Sequence, residues 1–195
     1  MHSTTKFLNG HSDVVGGAVA AATPALQEEL AWWANALGLA GSPFDSYLTL
    51  RGVRTLQPRV RAHQESARAV VEALRDHPVV ERVYYPGLDT HPGHAVAVQQ
   101  QDGPGSLVSF EIAGGKPAAA VLVDELQHFA LAESLGGVES LIAHPATMTH
   151  AAMEPAARAR AGIGDGLLRL SVGIEEPADL VSDLERGLRR AGGAR

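Results

Sequence analysis

The chain has 195 residues, of which 45% are hydrophobic and 19% charged, a balance typical of a globular protein with a proper core. Sixteen basic and 22 acidic residues give a formal net charge of −6 without a basic cluster, so a nucleic-acid partner is not expected. The absence of cysteine excludes disulfides and zinc–thiolate sites and fits a cytoplasmic protein. Neither a signal pattern nor a bilayer-length apolar run is present, so no membrane partner is expected.

The first third of the chain is predicted to form one strand followed by helices. Residues 14–22 are small and apolar, which favours a buried strand, although a helix is compatible with them. Thr23-Pro24 is a helix-start signal, and Gly38 marks the end of that helix. A second helix is expected over residues 44–56. Pro58 opens a third, longest helix, which Pro78 ends.

The remainder of the chain alternates between strand and helix signals. Strands are predicted over residues 79–85, 106–112, 129–131 and 167–174, and helices over 93–101, 117–126 and from 177 to the glycines at 192 and 193. Alternation is clearest in the last strand, where Arg169 and Ser171 lie opposite the apolar face. These elements predict an α+β arrangement, a small, mostly antiparallel sheet with helices packed on one side. We place the domain boundary between residues 56 and 57.

The most informative segment is residues 3–17, which read STTKFLNGHSDVVGG and put a lysine in a hydroxyl-rich turn. A lysine that forms a Schiff base with pyridoxal phosphate (PLP) attacks as the neutral amine, which burial favours. Donors must also hold the cofactor phosphate nearby. Ser3 and Thr5 flank Lys6 and have the hydroxyls for this task. Taken alone, however, a lysine is most often a solvated surface charge.

A second segment, residues 131–142, reads LAESLGGVESLI. Its paired glycines predict a turn with unusual backbone angles, beside which Glu133 and Ser134 are polar. From the residues alone, a serine such as Ser134 is more often a backbone cap in a buried turn than a ligand-binding group.

Arg169 also has two interpretations. A buried arginine needs a partner, which is either an Asp or Glu of the chain or a substrate carboxylate held through two parallel hydrogen bonds.

Three other motifs do not predict chemistry. His144 and His150 are six residues apart, a spacing that matches none of the common zinc patterns, so no metal site is expected. Trp32-Trp33 is a packing pair that belongs to a core or an interface. Residues 162–166, GIGDG, precede a strand and not a helix, so they are a loop and not a dinucleotide fingerprint.

The segment around Lys6 resembles the PLP-lysine segment of the trans-sulfuration (Cys/Met metabolism) family, Ser-x-Thr-Lys-Tyr-x-x-Gly-His-Ser-Asp-Val-x-x-Gly, with Phe7 in place of the tyrosine. The chain resembles the family from residue 3 to about residue 188, through segments 31–35, 44–48, 51–56, 131–142, 146–150 and 168–175. The resemblance implies the C-terminal part of a fold-type I PLP-dependent transferase. Residues 1–56 would be a remnant of the large PLP-binding domain and residues 57–195 the C-terminal small domain.

By this resemblance Lys6 is the Schiff-base lysine and later the proton shuttle, and Ser3 and Thr5 contact the PLP phosphate. Ser134 and Arg169 are expected to hold the α-carboxylate of the substrate. Glu133 matches an acidic position that the family's synthases and some of its γ-lyases carry.

Within the family the chain resembles most the synthase branch, which replaces the acyl group of O-acyl-homoserine by cysteine to give cystathionine in methionine biosynthesis. A γ-lyase acting on cystathionine is the alternative. The resemblance also implies amino-acid substrates and a homo-oligomer, tetrameric in full-length form. Because the lysine lies past the middle of family members, we expect a truncated chain. A catalytically inactive fragment or split-gene half is therefore a further alternative.

Overall fold

The structure is a computed structural model that describes residues 1–193. It separates into two compact units, Met1–Gln57 and Pro58–Arg195. The division lies one residue from the boundary placed by sequence, between residues 56 and 57. The interpretation of the first unit as a remnant of a larger domain stays a prediction.

The first unit contains a short hairpin-like pairing and helices. Strand β1 (His2–Ser3) pairs antiparallel with β2 (Gly17–Ala18). A wide helical turn, Thr4–Leu8, directly follows β1. Helices α1 (Pro24–Leu37) and α2 (Pro43–Val53) come next, and the long helix α3 (Leu56–Arg75) begins at the end of this unit.

Local capping chemistry explains where α1 begins and ends. The Thr23 hydroxyl accepts a hydrogen bond from the Leu26 amide at 3.2 Å, and Pro24 occupies the first helical position, where its missing N–H costs nothing. Gly38 ends the helix in the left-handed conformation, with φ of 68°. The predicted bounds of α1 are therefore confirmed, whereas α2 ends at Val53, three residues before the predicted end.

The buried strand predicted over residues 14–22 is wrong in length and burial. Only Gly17–Ala18 forms a strand, because its partner β1 is itself two residues long. Val14 is buried, but the side chains of Val15 and Val19 are 88% and 61% exposed. The remaining residues of this run are glycine and alanine, which have little apolar surface to bury.

The tryptophan pair does not lie in a core. Trp32 and Trp33 on α1 are 61% and 46% exposed and pack edge to face on each other, with ring centroids 4.8 Å apart. No residue of α1 is buried. Of the two packing roles predicted for the pair, the described residues therefore exclude the core.

The second unit is built on one five-stranded sheet. Its strands are β3 (Val80–Tyr84), β4 (Leu107–Ile112), β5 (Ala130–Leu131), β6 (Leu141–Ala143) and β7 (Leu167–Ser171). Their order across the sheet is β3-β4-β7-β6-β5, and every pairing is antiparallel except that of β5 with β6. The sheet is thus mostly antiparallel, as predicted.

The helices of this unit are α4 (His94–Gln100), α5 (Gly115–Asp124), α6 (Pro155–Arg160) and α7 (Pro177–Gly193), together with most of α3. Helices α3, α5 and α7 pack with the sheet around one hydrophobic core. The fully buried core side chains include Val70, Leu74, Val108, Phe110, Leu122, Leu168, Leu170, Leu180, Leu184 and Leu188. Burial of each such side chain is worth about 1.5–3 kcal/mol.

Two features of the second unit differ from the sequence prediction. Strand β6 was not predicted, because its three residues are all buried and show no alternation. Helix α6 is also new and spans only six residues. Helix α7 has its last described residue at Gly193, in agreement with the predicted end at the glycines 192 and 193. Among the described residues, no helix is long and apolar enough to cross a membrane.

Candidate functional site

Lys6 lies in the wide turn that follows β1 and has a non-helical backbone, with φ of −97° and ψ of −136°. The turn is closed by two backbone hydrogen bonds, from the Asn9 amide to the Thr4 carbonyl at 3.2 Å and from the Gly10 amide to the Lys6 carbonyl at 2.9 Å. The Lys6 side chain is half-buried. The lysine is therefore held in a defined turn and not on a free terminus.

The hydroxyl groups on either side of Lys6 have different environments. The Thr5 hydroxyl accepts from the Gly16 amide at 3.0 Å and lies 3.3 Å from the Gly16 carbonyl. Its hydrogen is thus available for that long contact or for a nearby anion. Ser3 is exposed in β1 and makes no side-chain capping bond to the turn. Lys6 and its two hydroxyl neighbours fit the groups that PLP needs. The amine would react with the PLP aldehyde, and the hydroxyls of Ser3 and Thr5 would donate to its phosphate.

The far end of the lysine turn is fixed by Asn9. Its side-chain amide donates to Asp13 Oδ1 at 2.6 Å, and its carbonyl lies 2.7 Å from His11 Nδ1 and accepts there. Helix α2 approaches Asn9 so closely that a Cβ on Gly52 would lie 2.2 Å from the Asn9 carbonyl oxygen. Glycine at position 52 is therefore required for this contact, and α2 supports the turn that carries Lys6.

Arg169 lies in β7 between Ser109 of β4 and Ala143 of β6. Its Nη2 donates to the Ser134 carbonyl at 3.0 Å, whereas its buried Nε has no acceptor among the described residues. No ion pair of residues 1–193 within 4.0 Å includes Arg169. The alternative of an Asp or Glu partner is therefore wrong for the described chain.

A guanidinium with a buried, unmatched donor is costly, because buried polar groups normally have partners. Its planar fork matches a carboxylate, which accepts two parallel hydrogen bonds. Ser134 and Glu133 are exposed next to each other in the chain, and the Ser134 carbonyl is in contact with this guanidinium. The structure thus brings Ser134 and Arg169 together within the second unit.

Ser134 has φ of +87°, which an L-residue adopts at a cost, and Gly136 has φ of +80°. The unusual backbone angles predicted for this turn are confirmed. The glycines of this turn are buried, whereas Ser134 itself is exposed.

Several residues that hold this loop were not singled out in the sequence. The Ser171 hydroxyl accepts from the Gly136 amide at 2.9 Å. The Glu175 carboxylate accepts from the Ser140 amide at 2.7 Å and from its hydroxyl at 2.8 Å. The signal for Ser171 was present, because it shares the polar face of β7 with Arg169. The pairing of Glu175 with Ser140 joins residues 35 apart, which no local pattern predicts.

The histidines near this region are structural. His144 Nε2 lies 2.9 Å from the Asp165 carbonyl, which can only accept, and its Nδ1 lies 2.8 Å from the Thr147 hydroxyl. Both ring nitrogens are therefore engaged by protein groups. Burial lowers the pKa of His63, whose Nδ1 donates to the Val172 carbonyl at 2.7 Å. Among the described residues no group of three or more His, Cys, Asp or Glu side chains is arranged to hold a metal ion.

A cavity of about 520 Å³ lies beside α5, where Ala119, Val123, Phe129, Leu131 and Met148 are among its lining residues. It is mostly apolar and contains none of the predicted site residues. The predicted site residues of the second unit therefore lie outside this cavity.

The Cys/Met metabolism PLP-dependent enzyme family matches residues 1–189. The chain is 54% identical over 191 residues to cystathionine γ-synthase of Escherichia coli (strain K12), covering 98% of this chain and 50% of the relative. It is 47% identical over 188 residues to cystathionine γ-lyase of Dictyostelium discoideum, covering 96% and 49%.

A solved structure gives the same result for the fold. The structure of cystathionine γ-synthase from Xanthomonas oryzae pv. oryzae in complex with cystathionine matches with a TM-score of 0.95 and 63% identity, covering all of this chain and 50% of that one. The chain spans about half the length of the curated relatives it matches. From the family match and these identities, the chain belongs to the Cys/Met metabolism family of PLP-dependent enzymes.

Proposed function

We propose that this chain is the cofactor-lysine and substrate-carboxylate portion of a cystathionine γ-synthase, which exchanges the acyl group of O-acyl-homoserine for cysteine to give cystathionine. The observation that carries the proposal is Arg169, a guanidinium with a buried unmatched Nε and without a carboxylate partner among residues 1–193. Enzymes that act at the Cα of an amino acid need such a grip to orient the bond that breaks. The relatives with the stated activity at 54% and 63% identity support the choice of branch.

The residues of the first unit would hold the cofactor. Ser3 and Thr5 would donate hydroxyl hydrogens to its phosphate, and the Lys6 amine would attach it. When bound, PLP supplies the electron sink that a carbanion at the substrate Cα requires. Lys6 would then move protons at Cα and Cβ of the substrate, a task for which its amine must be neutral.

The residues of the second unit would hold the substrate. Arg169 would bind the α-carboxylate through its fork, and Ser134 would add a hydrogen bond to the same carboxylate. Glu133 is exposed beside them and would face the amino-acid side chain, where its negative charge attracts a cationic amine. Cysteine, O-acyl-homoserine and cystathionine all have the carboxylate that this pair recognises.

The cofactor assignment is tested by PLP titration of the purified chain, with visible absorption, borohydride reduction and peptide mapping. The chain contains two lysines, Lys6 and Lys116, and Lys116 is exposed at the start of α5. We expect a saturable band and a reduced label on Lys6, unchanged in Lys116→Arg and lost in Lys6→Arg. A label divided between Lys116 and the terminal amine would contradict the proposal.

The branch is tested by assaying O-acyl-homoserine plus cysteine, and cystathionine alone, with the chain in its full-length or reconstituted form. Formation of cystathionine identifies the synthase. The γ-lyase is the second candidate, supported by the 47% identity to a cystathionine γ-lyase. Strong release of keto acid and ammonia without synthase turnover would favour that branch.

An inactive fragment is the third candidate, and helix α1 favours it. None of its residues is buried, and Trp32, Trp33 and Leu37 are exposed along it. Exposed apolar side chains of this kind promote association. Size-exclusion chromatography is therefore expected to show self-association of the isolated chain. In the longer protein, we expect a homo-oligomer to cover the same side chains. A stable monomer would count against this expectation.

A further inference from the structure

We propose that Glu175, acting through Ser140, is a positioning residue for the carboxylate-binding pair Ser134 and Arg169. The inference rests on the function proposed above, because it takes Ser134 and Arg169 as the groups that bind the substrate carboxylate. Glu175 itself touches the loop and not the proposed ligand.

The contact between Glu175 and Ser140 is bidentate. Glu175 Oε1 accepts from the Ser140 amide at 2.7 Å, and Oε2 accepts from the Ser140 hydroxyl at 2.8 Å. The same hydroxyl oxygen accepts from the Gly173 amide at 2.8 Å. Hydrogen bonds to a carboxylate are about twice as strong as neutral ones, so this is a strong restraint on the loop. Ser140 is completely buried.

The whole loop is held by the segment that begins with Arg169. Arg169 Nη2 donates to the Ser134 carbonyl at 3.0 Å, and the Gly136 amide donates to the Ser171 hydroxyl at 2.9 Å. Further along, the Ile174 amide donates to the Val138 carbonyl at 2.9 Å. Residues 134–140 therefore lie alongside residues 169–175. The contact of Glu175 with Ser140 is the last one along the two segments.

The loop needs this restraint because its backbone is unfavourable. The positive φ of Ser134 is unfavourable for an L-residue and persists only where the surroundings impose it. Gly136 and Gly137 add backbone freedom and no side chain that packs. At Gly173, a Cβ would lie 2.4 Å from the Val138 carbonyl oxygen, so the two segments are as close as backbones allow. A shift at Ser140 would be passed on to Ser134.

The surroundings of Glu175 anchor it to α3. The Ser66 hydroxyl donates to the Glu175 carbonyl at 3.4 Å. His63 interacts electrostatically with Arg59, Glu175 and Glu139, and it donates to the Val172 carbonyl. Glu175 therefore has contacts on both sides, with α3 through its backbone carbonyl and with Ser140 through its carboxylate.

The experiment compares Glu175→Gln with Glu176→Gln in the purified chain. Both changes remove one negative charge by the same chemistry, but Glu176 is exposed and its side chain makes no hydrogen bond with residues 1–193. Affinity is measured by NMR titration with cysteine and with cysteamine, which is cysteine without its carboxylate. Amide exchange at Gly136 reports the order of the loop, and thermal unfolding reports overall stability.

We expect Glu175→Gln to weaken cysteine binding about tenfold, to leave the binding of cysteamine unchanged, and to speed amide exchange at Gly136. Glu176→Gln is expected to match the wild-type chain in all three measurements. Unchanged cysteine affinity or unchanged exchange at Gly136 in Glu175→Gln overturns the positioning role. Equal loss for cysteine and cysteamine overturns it as well, since that pattern marks general destabilisation.

Failure of the function itself gives a different result. If the wild-type chain binds cysteine no better than cysteamine, the carboxylate site assigned to Arg169 is wrong and the positioning role falls with it. If the wild-type chain discriminates the two and Glu175→Gln discriminates equally, only the positioning role is wrong.

Discussion

Arg169 has five N–H donors, and the described residues supply one acceptor within hydrogen-bond distance. The position of Arg169 on the polar face of β7 indicated that a buried guanidinium there would need a partner. It did not indicate which partner. Either a carboxylate of the chain or a carboxylate of a ligand would satisfy the same pattern. The structure excludes a carboxylate of residues 1–193 and leaves the buried Nε of Arg169 without an acceptor among them.

Ser134 allows backbone strain to be separated from hydroxyl chemistry. Ser134→Gly and Ser134→Ala both remove the hydroxyl, but glycine adopts φ of +87° without strain and alanine does not. We expect the glycine variant to be more stable than the alanine variant by about 1 kcal/mol in urea unfolding. Equal stability of the two variants would show that the loop relaxes to another conformation when the hydroxyl is lost.

At the scale of elements, α7 joins the core to the turn that precedes β5. Its leucines pack inward, and Asp183 is also completely buried in the middle of the helix. This carboxylate accepts from the amides of Gln127, His128 and Phe129 at 2.8, 2.8 and 3.1 Å and pairs with Arg186. Asp183 therefore fixes the turn that leads into β5.

Replacement of Asp183 by Asn is expected to lower the free energy of unfolding by about 2–3 kcal/mol. The Asn amide group would place its own donors against backbone N–H groups that need an acceptor. Glu185→Gln on the same helix is the control, since its ion pair with Arg189 is exposed and worth at most about 0.5 kcal/mol. Similar losses in the two variants, measured by urea unfolding, would refute the capping role of Asp183.

Helix termini were easier to predict than strands. The hydroxyl of Thr23 and the left-handed Gly38 determine α1 through contacts a few residues apart, so the sequence contains the whole signal. Strand β6 depends on pairing with β7, which is distant in the chain, and with β5, which has only two residues. Its residues are buried on both faces, and no alternation marks them.

At the scale of the whole molecule, buried ionisable groups make stability depend on pH. Burial lowers the pKa of His63 below its unfolded value, and the hydrogen bond to Val172 opposes this shift only in part. The unfolded chain therefore takes up the proton first as pH falls. The stability that depends on neutral His63 is complete above about pH 6.5 and is lost toward lower pH.

We expect the free energy of unfolding to fall between pH 7.5 and 5.5, with a slope of at most about 1.4 kcal/mol per pH unit for His63. His63→Asn keeps a donor near the Nδ1 position and removes the titration, so it should flatten the slope. Burial also lowers the pKa of His77, so His77→Asn is the comparison for a second histidine with the same sign. A slope that is identical in wild type and His63→Asn would refute the assignment.

The sequence by itself determined the family, the α+β arrangement of the sheet and helices, and the residue types available for chemistry. Local capping signals, alternation in β4 and the ordered motifs around Lys6 and Arg169 were sufficient for this, because each depends on neighbours within a few residues. Whether Lys6, Ser3 and Thr5 hold the cofactor, and whether Glu133, Ser134 and Arg169 hold the substrate, stays a prediction.

Only the tertiary structure decided which partners those residues have. Glu175 is hydrogen-bonded to Ser140, 35 residues away, and His63 to Val172, 109 residues away. Arg169 is hydrogen-bonded to the carbonyl of Ser134, 35 residues away. Such contacts depend on strand order and on helix packing, which side-chain periodicity does not encode. The sequence therefore determines which groups are available, and long-range packing decides which partners each of them has.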